Sequence, residues 1–573
     1  MAQARPLWDD HRQPAGLTRS RGAVRARWRQ GDGLVAAGVL ACLIVAGLVV
    51  RLWVLGTGDE LNADEVLPGL MAWHILTRGE RPVFYYGQHY FGAVEAYILA
   101  GLFAWRGFDP WLAVVSPLAC SLALIPITYA LARHLTGRGG SVVATLAVAI
   151  PPPVLAKLYA NPGGGFSLAF ALHGAALLCF LRAYLSTGAG WPSTLWAMAF
   201  SFVAGILCWV WQPALVLYPA LVLMLVLRGP AWRRPGRLVG VVAPVLCGLI
   251  PPLSYNISAG WPTVGQLAAK YATLGSEAAP GIGHGLHGLW TLLLIAFGGG
   301  NEAEGGTNFL QSALVAMSFP LTWLSLRGPL AGRTEQRPPP PAPPTGGDLR
   351  ARRLAAAVLT LAALLDLLAA HSTVRHLAPV AHLGYVFTGA ALAFLARRLV
   401  PARVATLRPL AVAVAGTGLI VLPNLWLDAH AADIFRRFVP GVRDVRAAVV
   451  ALQERQLSTG YADYWTAYPV TYFSGERIVL APSMATIWGE RVDRYPDYTH
   501  LVDAVDDPGA LFLLLDGRCS ALAYLLPLEQ QDATYRLERV GRWHLLWDIH
   551  PPAGAESETL QQWRRVLTSR RHC

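Results

Sequence analysis

Residues 62–98 read NADEVLPGLMAWHILTRGERPVFYYGQHYFGAVEAYI and begin seven residues after an apolar run ends. Asp64, Glu65, His74, Gln88 and Glu95 stand here among Tyr85, Tyr86, Tyr90 and Tyr97. Whether this is a soluble core or a loop beside a lipid surface decides the fold. Composition favours the second: 54% of the 573 residues are hydrophobic and only 14% are charged, against about 25% charged in soluble proteins. The chain therefore reads as a polytopic membrane protein. Its net charge of +12 is mostly arginine, which in such a protein marks cytoplasmic loops. No aromatic-basic surface module points to nucleic acid.

A membrane-crossing helix needs about 20 apolar residues. Such runs lie near 33–55, 111–132, 140–158, 166–185, 193–211, 213–228, 237–255, 308–326, 354–370, 377–396 and 409–427, about eleven in all. The first is long, follows about thirty polar residues and lacks a small-residue cleavage site, so it reads as a retained anchor. Arginine clusters at 19–29, 133–138, 228–237, 327–353 and 397–408 all fall inside if the N-terminus is cytoplasmic. That count requires GAVEAYILAGLFAW (92–105) to lie on the outer surface, not to cross. The expected organisation is a basic cytoplasmic N-terminus (1–32), a transmembrane domain (33–428) and an extracytoplasmic soluble α/β domain (429–573) in an inner (plasma) membrane protein. The first outer loop spans 56–110. The Pro-rich segment 333–348 is a cytoplasmic linker, since consecutive prolines cannot sustain a regular helix. Residues 257–307 form a second long, Gly-rich outer segment.

In the tail, GVRDVRAAVVALQERQ has helical periodicity, ERIVLAP and ALFLLLDG read as strands, and YRLERVGRWHLLWDI reads as a hairpin turning at Gly541-Arg542. Five cysteines lie in apolar runs. Cys519 and Cys573 are in the polar tail, where an oxidising compartment would permit a disulfide.

Asp64 and Glu65 precede VLPGLMAWHIL, in which Val66, Leu70, Trp73 and Leu76 suggest one apolar stripe of a short surface helix. A carboxylate at a helix start serves equally as a cap or as a reactive group, and the residues alone leave both open.

ADEVLPGLMAWHIL followed by FYYGQHYFGAVEAYI resembles the first outer loop of bacterial polyprenyl-phosphate-sugar-dependent glycosyltransferases. These are the C-type (GT-C) membrane transferases related to protein O-mannosyltransferases and lipid A aminoarabinose transferases. RHLAP (375–379) and GYADYWTAYPVTYFSGERIV (460–479) resemble later motifs of the group. The resemblance implies a polyprenyl-phosphate sugar donor and an envelope acceptor, with Asp64 as the catalytic general base in an inverting displacement and Glu65 beside it as a second catalytic candidate. A leaving phosphate needs fixed positive charge. Arg375 is the first choice, for its planar fork, and Lys157 the second. His74, Tyr86, Gln88, Tyr90, Glu95 and His376 are candidates for binding substrate. Many relatives carry another acid in the second outer loop, but here that loop reads YANPGGGFSLAF, without one. A divalent metal shared by two acidic loops is therefore unsupported. Glu95, Glu302, Glu304 and the pairs His284/His287 and His371/His376 are other possible ligands. The main rival reading is a transporter or lipid flippase. Such proteins place ionisable groups mid-membrane, and Asp366 is the one such residue that stands clearly within an apolar run.

Overall fold

A computed structural model describes residues 16–57, 61–186, 191–211, 214–228, 232, 234–268, 305–327, 346–369, 378–430, 445–484, 492–516, 528–529, 532–554 and 561. The chain opens with α1 (Gly16–Thr57), α2 (Ala63–Thr77), a small hairpin of β1 (Phe84–Tyr85) and β2 (Gln88–Gly92), and α3 (Val94–Arg106). Then follow α4 (Val115–Leu135), α5 (Arg138–Ala149), α6 (Pro153–Ala160), α7 (Phe166–Leu185), α8 (Trp191–Val210), α9 (Ala214–Leu227) and α10 (Pro235–Ala259). The helical part continues with α11 (Gly305–Leu326), α12 (Gly346–Ala369), α13 (Ala378–Leu399), α14 (Arg408–Gly416) and α15 (Leu422–Ala429). The tail holds α16 (Val445–Glu454), β3 (Thr459–Asp463), α17 (Tyr464–Phe473), β4 (Val479–Met484), α18 (Pro496–Asp503), β5 (Leu511–Asp516), β6 (Thr534–Val540) and β7 (Trp543–His550).

Each apolar run falls on a helix, but the expected eleven crossings are not reached by length and apolarity. Among the described residues seven helices qualify, or eight if one bent pair counts as a span. The runs at 213–228 and 308–326 give the shorter apolar helices Leu217–Leu227 and Ser312–Leu326. The run at 140–158 is that bent pair: α5 and α6 meet at 80°. Three prolines, Pro151 to Pro153, cause the break, because they lack N–H donors and push the preceding residue out of helical geometry. Broken backbone inside a bilayer must find partners within the protein. The buried Arg51 guanidinium of α1 donates to the Val148 and Ala149 carbonyls, both at 3.0 Å. The Asn424 amide donates to Ile150 O at 2.6 Å.

Asp366 is thus not alone among ionisable residues in the apolar runs. Arg51 is one more, and His173 and His382 are others, paired with Tyr218 (3.0 Å) and Thr128 (2.8 Å).

α3 has 13 residues and is about 20 Å long, too short to cross a core about 30 Å thick, as GAVEAYILAGLFAW suggests. α2 differs from expectation. It is not a surface helix with one apolar stripe: Ala63 and every residue from Glu65 to Ala72 are buried, while Leu76 is exposed. It is covered from more than one side: α3 packs along it, and α17 of the tail packs across it, with Gly69 against the Tyr472 ring where a side chain would collide.

The tail forms a five-stranded mixed sheet in the order β4-β3-β5-β7-β6. β3 pairs in parallel with β4 and β5, and β5, β7 and β6 are antiparallel. β5 is buried on both faces, which explains its unbroken Leu511–Leu515 run. Phe512 and Leu514 pack with Val445, Leu452 and Val470 of α16 and α17, and Leu511, Leu513 and Leu515 pack with Val502 of α18. The α16 helix, both strands and the hairpin agree with the sequence reading; Gly541 turns the hairpin at φ 58°. β3, α17 and the β1–β2 hairpin are additions to it. Cys519 and Cys573 lie outside the described residues.

Candidate active site

The site begins at the start of α2. Asn62 caps the helix: its side chain accepts from Glu65 N at 3.2 Å, and Glu65 Oε2 accepts from Asn62 N at 3.0 Å. This reciprocal box turns Glu65 inwards. Its other oxygen, Oε1, accepts from Asn161 Nδ2 at 2.6 Å. The two adjacent acids therefore diverge. Glu65 is buried and caps the helix, whereas Asp64 is half-buried and faces the tail.

Asn161 belongs to the second loop. There Gly164 and Gly165 have φ of 66° and 68°, the left-handed region that suits glycine. The loop meets Glu65 with an amide donor and not with an acid. Among the described residues no three His, Cys, Asp or Glu side chains gather to hold a metal. Glu302, Glu304, His284, His287 and His371 lie outside the described residues, as do Arg375 and His376.

Asp64 is met by a residue from 400 positions downstream. In the tail, Asp463 caps α17 by accepting from Trp465 N (2.8 Å) and Thr466 Oγ1 (2.7 Å). That makes Tyr464 the first residue of the helix and turns it towards α2. Its hydroxyl donates to Asp64 Oδ1 at 2.5 Å. Burial, then the Asp64 charge, push the Tyr464 phenol well above its ordinary value, so it acts as a donor at neutral pH. Arg494 completes the group. Its guanidinium carbon lies 5.9 Å from the Tyr464 ring centre, and its Nη1 is 3.4 Å from Gly87 O. Burial lowers the Arg494 pKa, but Tyr464 and Asp64 more than offset it, so the cation persists. Tyr90 stands within electrostatic range of both charges, and its phenol interacts with the Gln88 side chain. Tyr90 thus lies within electrostatic range of Asp64, with Gln88 beside it.

His74 and Tyr86 do something else. His74 is fully buried, with Nδ1 2.9 Å from the Tyr86 hydroxyl and Nε2 2.7 Å from Glu476 Oε1. The same Glu476 oxygen accepts from Arg78 (2.7 Å) and Tyr498 (2.6 Å). Tyr86 also donates to Glu80, which accepts from Tyr495 as well. These residues join the first loop to the tail. Glu95 is buried at the foot of the hairpin, where Tyr85 donates to Oε2 at 3.0 Å. Burial raises its pKa to about 8, against weaker lowering by Tyr85 and the Gly165 backbone. Lys157, on α6, lines a cavity with Glu65 and Arg446.

Tyr464 and Glu476 both fall in the motif GYADYWTAYPVTYFSGERIV, so the sequence carried a signal for them. Nothing in the sequence pointed to Arg494, Arg446 or Asn161, whose importance lies in where the fold brings them.

A bundle of apolar helices carries a mixed-sheet tail clasped over an acidic first loop, and this fold is shared with solved membrane proteins. The chain is similar to ArnT from Cupriavidus metallidurans bound to undecaprenyl phosphate, with a TM-score of 0.59, 13% identity, and coverage of 89% of this chain and 98% of that one. It is also similar to the Archaeoglobus fulgidus oligosaccharyltransferase in complex with zinc and sulfate (TM-score 0.51, 13% identity, 89% and 73% covered). The archaeal oligosaccharyltransferase AglB, with an inhibitory peptide and a dolichol-phosphate, gives a TM-score of 0.50 at 12% identity, with 92% and 77% covered. No protein-family model and no curated protein sequence matches the chain.

Proposed function

We propose that this protein is an integral membrane glycosyltransferase. It moves a sugar from a polyprenyl-phosphate donor to a lipid, polysaccharide or protein acceptor on the outer face of the plasma membrane. The observation that carries this reading is the setting of Asp64. It stands at the junction of first loop and tail, oriented by Tyr464, beside Arg494, in a fold shared with an enzyme captured on undecaprenyl phosphate.

In the proposed reaction Asp64 takes the proton of an acceptor hydroxyl or amine as that group attacks the anomeric carbon. The bond from that carbon to the phosphate oxygen breaks, its electron pair leaves with the polyprenyl phosphate, and the configuration inverts. Arg375 and Lys157 hold the leaving phosphate. Gln88 and Tyr90 contact the sugar. The full reading keeps about eleven spans, with the N-terminus and the 333–348 linker inside and the first loop and tail outside.

The test is transfer by the purified protein in nanodiscs, given a labelled polyprenyl-phosphate sugar and envelope acceptors. Label should appear on acceptor, with polyprenyl phosphate released. Intact donor moved across a bilayer would support the flippase reading instead. Sidedness is checked by cysteines placed at 59, 345 and 500 in intact cells: 59 and 500 should label and 345 should not.

A further inference from the structure

The sheet of β1 and β2 is two-stranded, and a lone hairpin of that size is marginal without outside support. Support comes from the end of α10 and the chain that follows it. The His89 amide of β2 donates to Gln266 Oε1 at 2.8 Å, and the His89 carbonyl accepts from Thr263 Oγ1 at 2.5 Å. The His89 ring stacks on the Tyr255 ring at 5.6 Å, with Nδ1 2.8 Å from the Tyr255 hydroxyl. Tyr255 also meets Phe84 of β1 edge-on, at 5.2 Å. One residue of the hairpin is thus held at its amide, its carbonyl and its ring by side chains from 255–266.

The turn that brings Thr263 and Gln266 there is strained. Gly260 and Trp261 both have left-handed backbone, at φ 74° and 61°. For a bulky tryptophan that region is an outlier, kept only where surrounding contacts impose it. Asn256, buried on α10, imposes it here: its carbonyl accepts from Trp261 N at 2.8 Å, and its side chain accepts from Thr263 N at 3.2 Å. Successive side chains of a strand point to opposite faces. With His89 turned to α10, Gln88 and Tyr90 occupy the other face, and Tyr90 is within electrostatic range of Asp64 and Arg494.

We propose that Tyr255, Thr263 and Gln266 are positioning residues of the reacting site: they hold His89, and through it they set where Gln88 and Tyr90 stand relative to Asp64. The effect on turnover rests on the function proposed above; the hold on the hairpin does not. Asp64 is oriented from the tail by Tyr464, so a loosened hairpin should disturb binding of the sugar more than the base itself.

The test compares two double variants of the full-length protein in nanodiscs. Thr263→Val/Gln266→Leu removes both bonds to the His89 backbone, whereas Thr263→Ser/Gln266→Glu keeps a hydroxyl donor and a carboxyl acceptor. The first should speed hydrogen–deuterium exchange in 84–92 by about tenfold, the combined worth of two modest hydrogen bonds, while strands β5 and β7 exchange as in the parent. Its KM for the labelled polyprenyl-phosphate sugar should rise by about the same factor, with kcat little changed. The second should return both readings towards the parent, which a general folding defect would not do. Parent-like exchange in 84–92 of the first variant would overturn the proposal, and so would faster exchange with an unchanged KM. A parent protein that transfers no sugar sinks the function above instead, and exchange in 84–92 then decides the hold on the hairpin alone.

Discussion

At Asp64 one carboxylate oxygen is committed to the Tyr464 hydroxyl, which fixes the direction of the side chain without using all its lone pairs. Asn at this position keeps the shape and can still accept from Tyr464, but it cannot take a proton. Asp64→Asn should lower turnover by about 10²–10⁴-fold, the worth of a positioned base, with little change in melting temperature. Glu65→Gln is the contrast. Both Glu65 oxygens accept from N–H donors, so the new amide must turn its own N–H groups against one of them. That variant should melt lower while losing much less turnover, and the reverse ranking would exchange the roles of the two acids. Glu95 gives a prediction in pH. Its folded pKa, raised by burial to about 8, exceeds the ordinary glutamate value of about 4.3, so the folded state holds a proton that the unfolded state releases. Its contribution to stability is therefore complete below pH ~4.3 and is lost as pH rises towards 8. Glu95→Gln keeps a neutral acceptor for Tyr85, so it should flatten the fall in melting temperature between pH 5 and 8. A pH dependence unchanged from the parent protein would remove Glu95 as its cause.

Among the elements, the join of α5 and α6 shows what a run of apolar residues conceals. Its hydropathy suits a single span. The three prolines were visible in the sequence, but hydropathy does not show how far a proline break bends, because that depends on what satisfies the freed carbonyls. Here the answer is Arg51, 97 and 98 residues away from the carbonyls it serves, on a helix whose pattern reads as a simple anchor. Arg51→Leu should fit the apolar surroundings yet leave those carbonyls without their donor. A buried unsatisfied group costs about 1–3 kcal/mol, and two are exposed to that cost. We expect a clear drop in thermal stability in detergent and a poor yield of folded protein. A variant that melts like the parent would mean that other groups hold the break. The same logic explains α2. Its sequence announced a helix with a capped start, and capping is local, so Asn62 and Glu65 were readable. Its full burial was not, because part of the covering surface, α17, lies about 400 residues later.

For the molecule as a whole, the legible parts were those carried by short-range pattern: apolar runs, tail strands, the acidic first loop. What could not be read was the clasp between first loop and tail, which depends on partners far apart in the chain. His74, Arg78, Tyr86 and Glu80 are scattered polar residues until Glu476, Tyr495 and Tyr498 are brought against them. The clasp lies on the same loop–tail junction as the Tyr464–Asp64 bond, so we expect its strength to govern how often the site is assembled. Glu476 is the centre. Burial would raise its pKa, but the hydrogen bonds from His74 and Tyr498 and the charge of Arg78 outweigh that and hold it below the usual carboxylate range. Its stabilising effect is therefore present above the ordinary value of about 4.3 and is lost as pH falls through the folded value. Glu476→Gln removes the charge but keeps an acceptor. Hydrogen bonds to charged groups are worth about 1.5–3 kcal/mol, and Arg78, with 40% of its side chain exposed, contributes at the low end through solvent screening. At pH 7 the variant's clasp should therefore open about tenfold more often, seen as faster hydrogen–deuterium exchange in 74–86 and 492–498 while strands β5 and β7 stay protected. Turnover should fall in proportion to the assembled fraction, with donor affinity less affected. As pH falls through the lowered folded value of Glu476, the parent protein should lose the same protection and the two should converge. Equal exchange at pH 7 would show that the tail is held by its packing on α2 alone, and that Glu476 does not govern delivery of Tyr464.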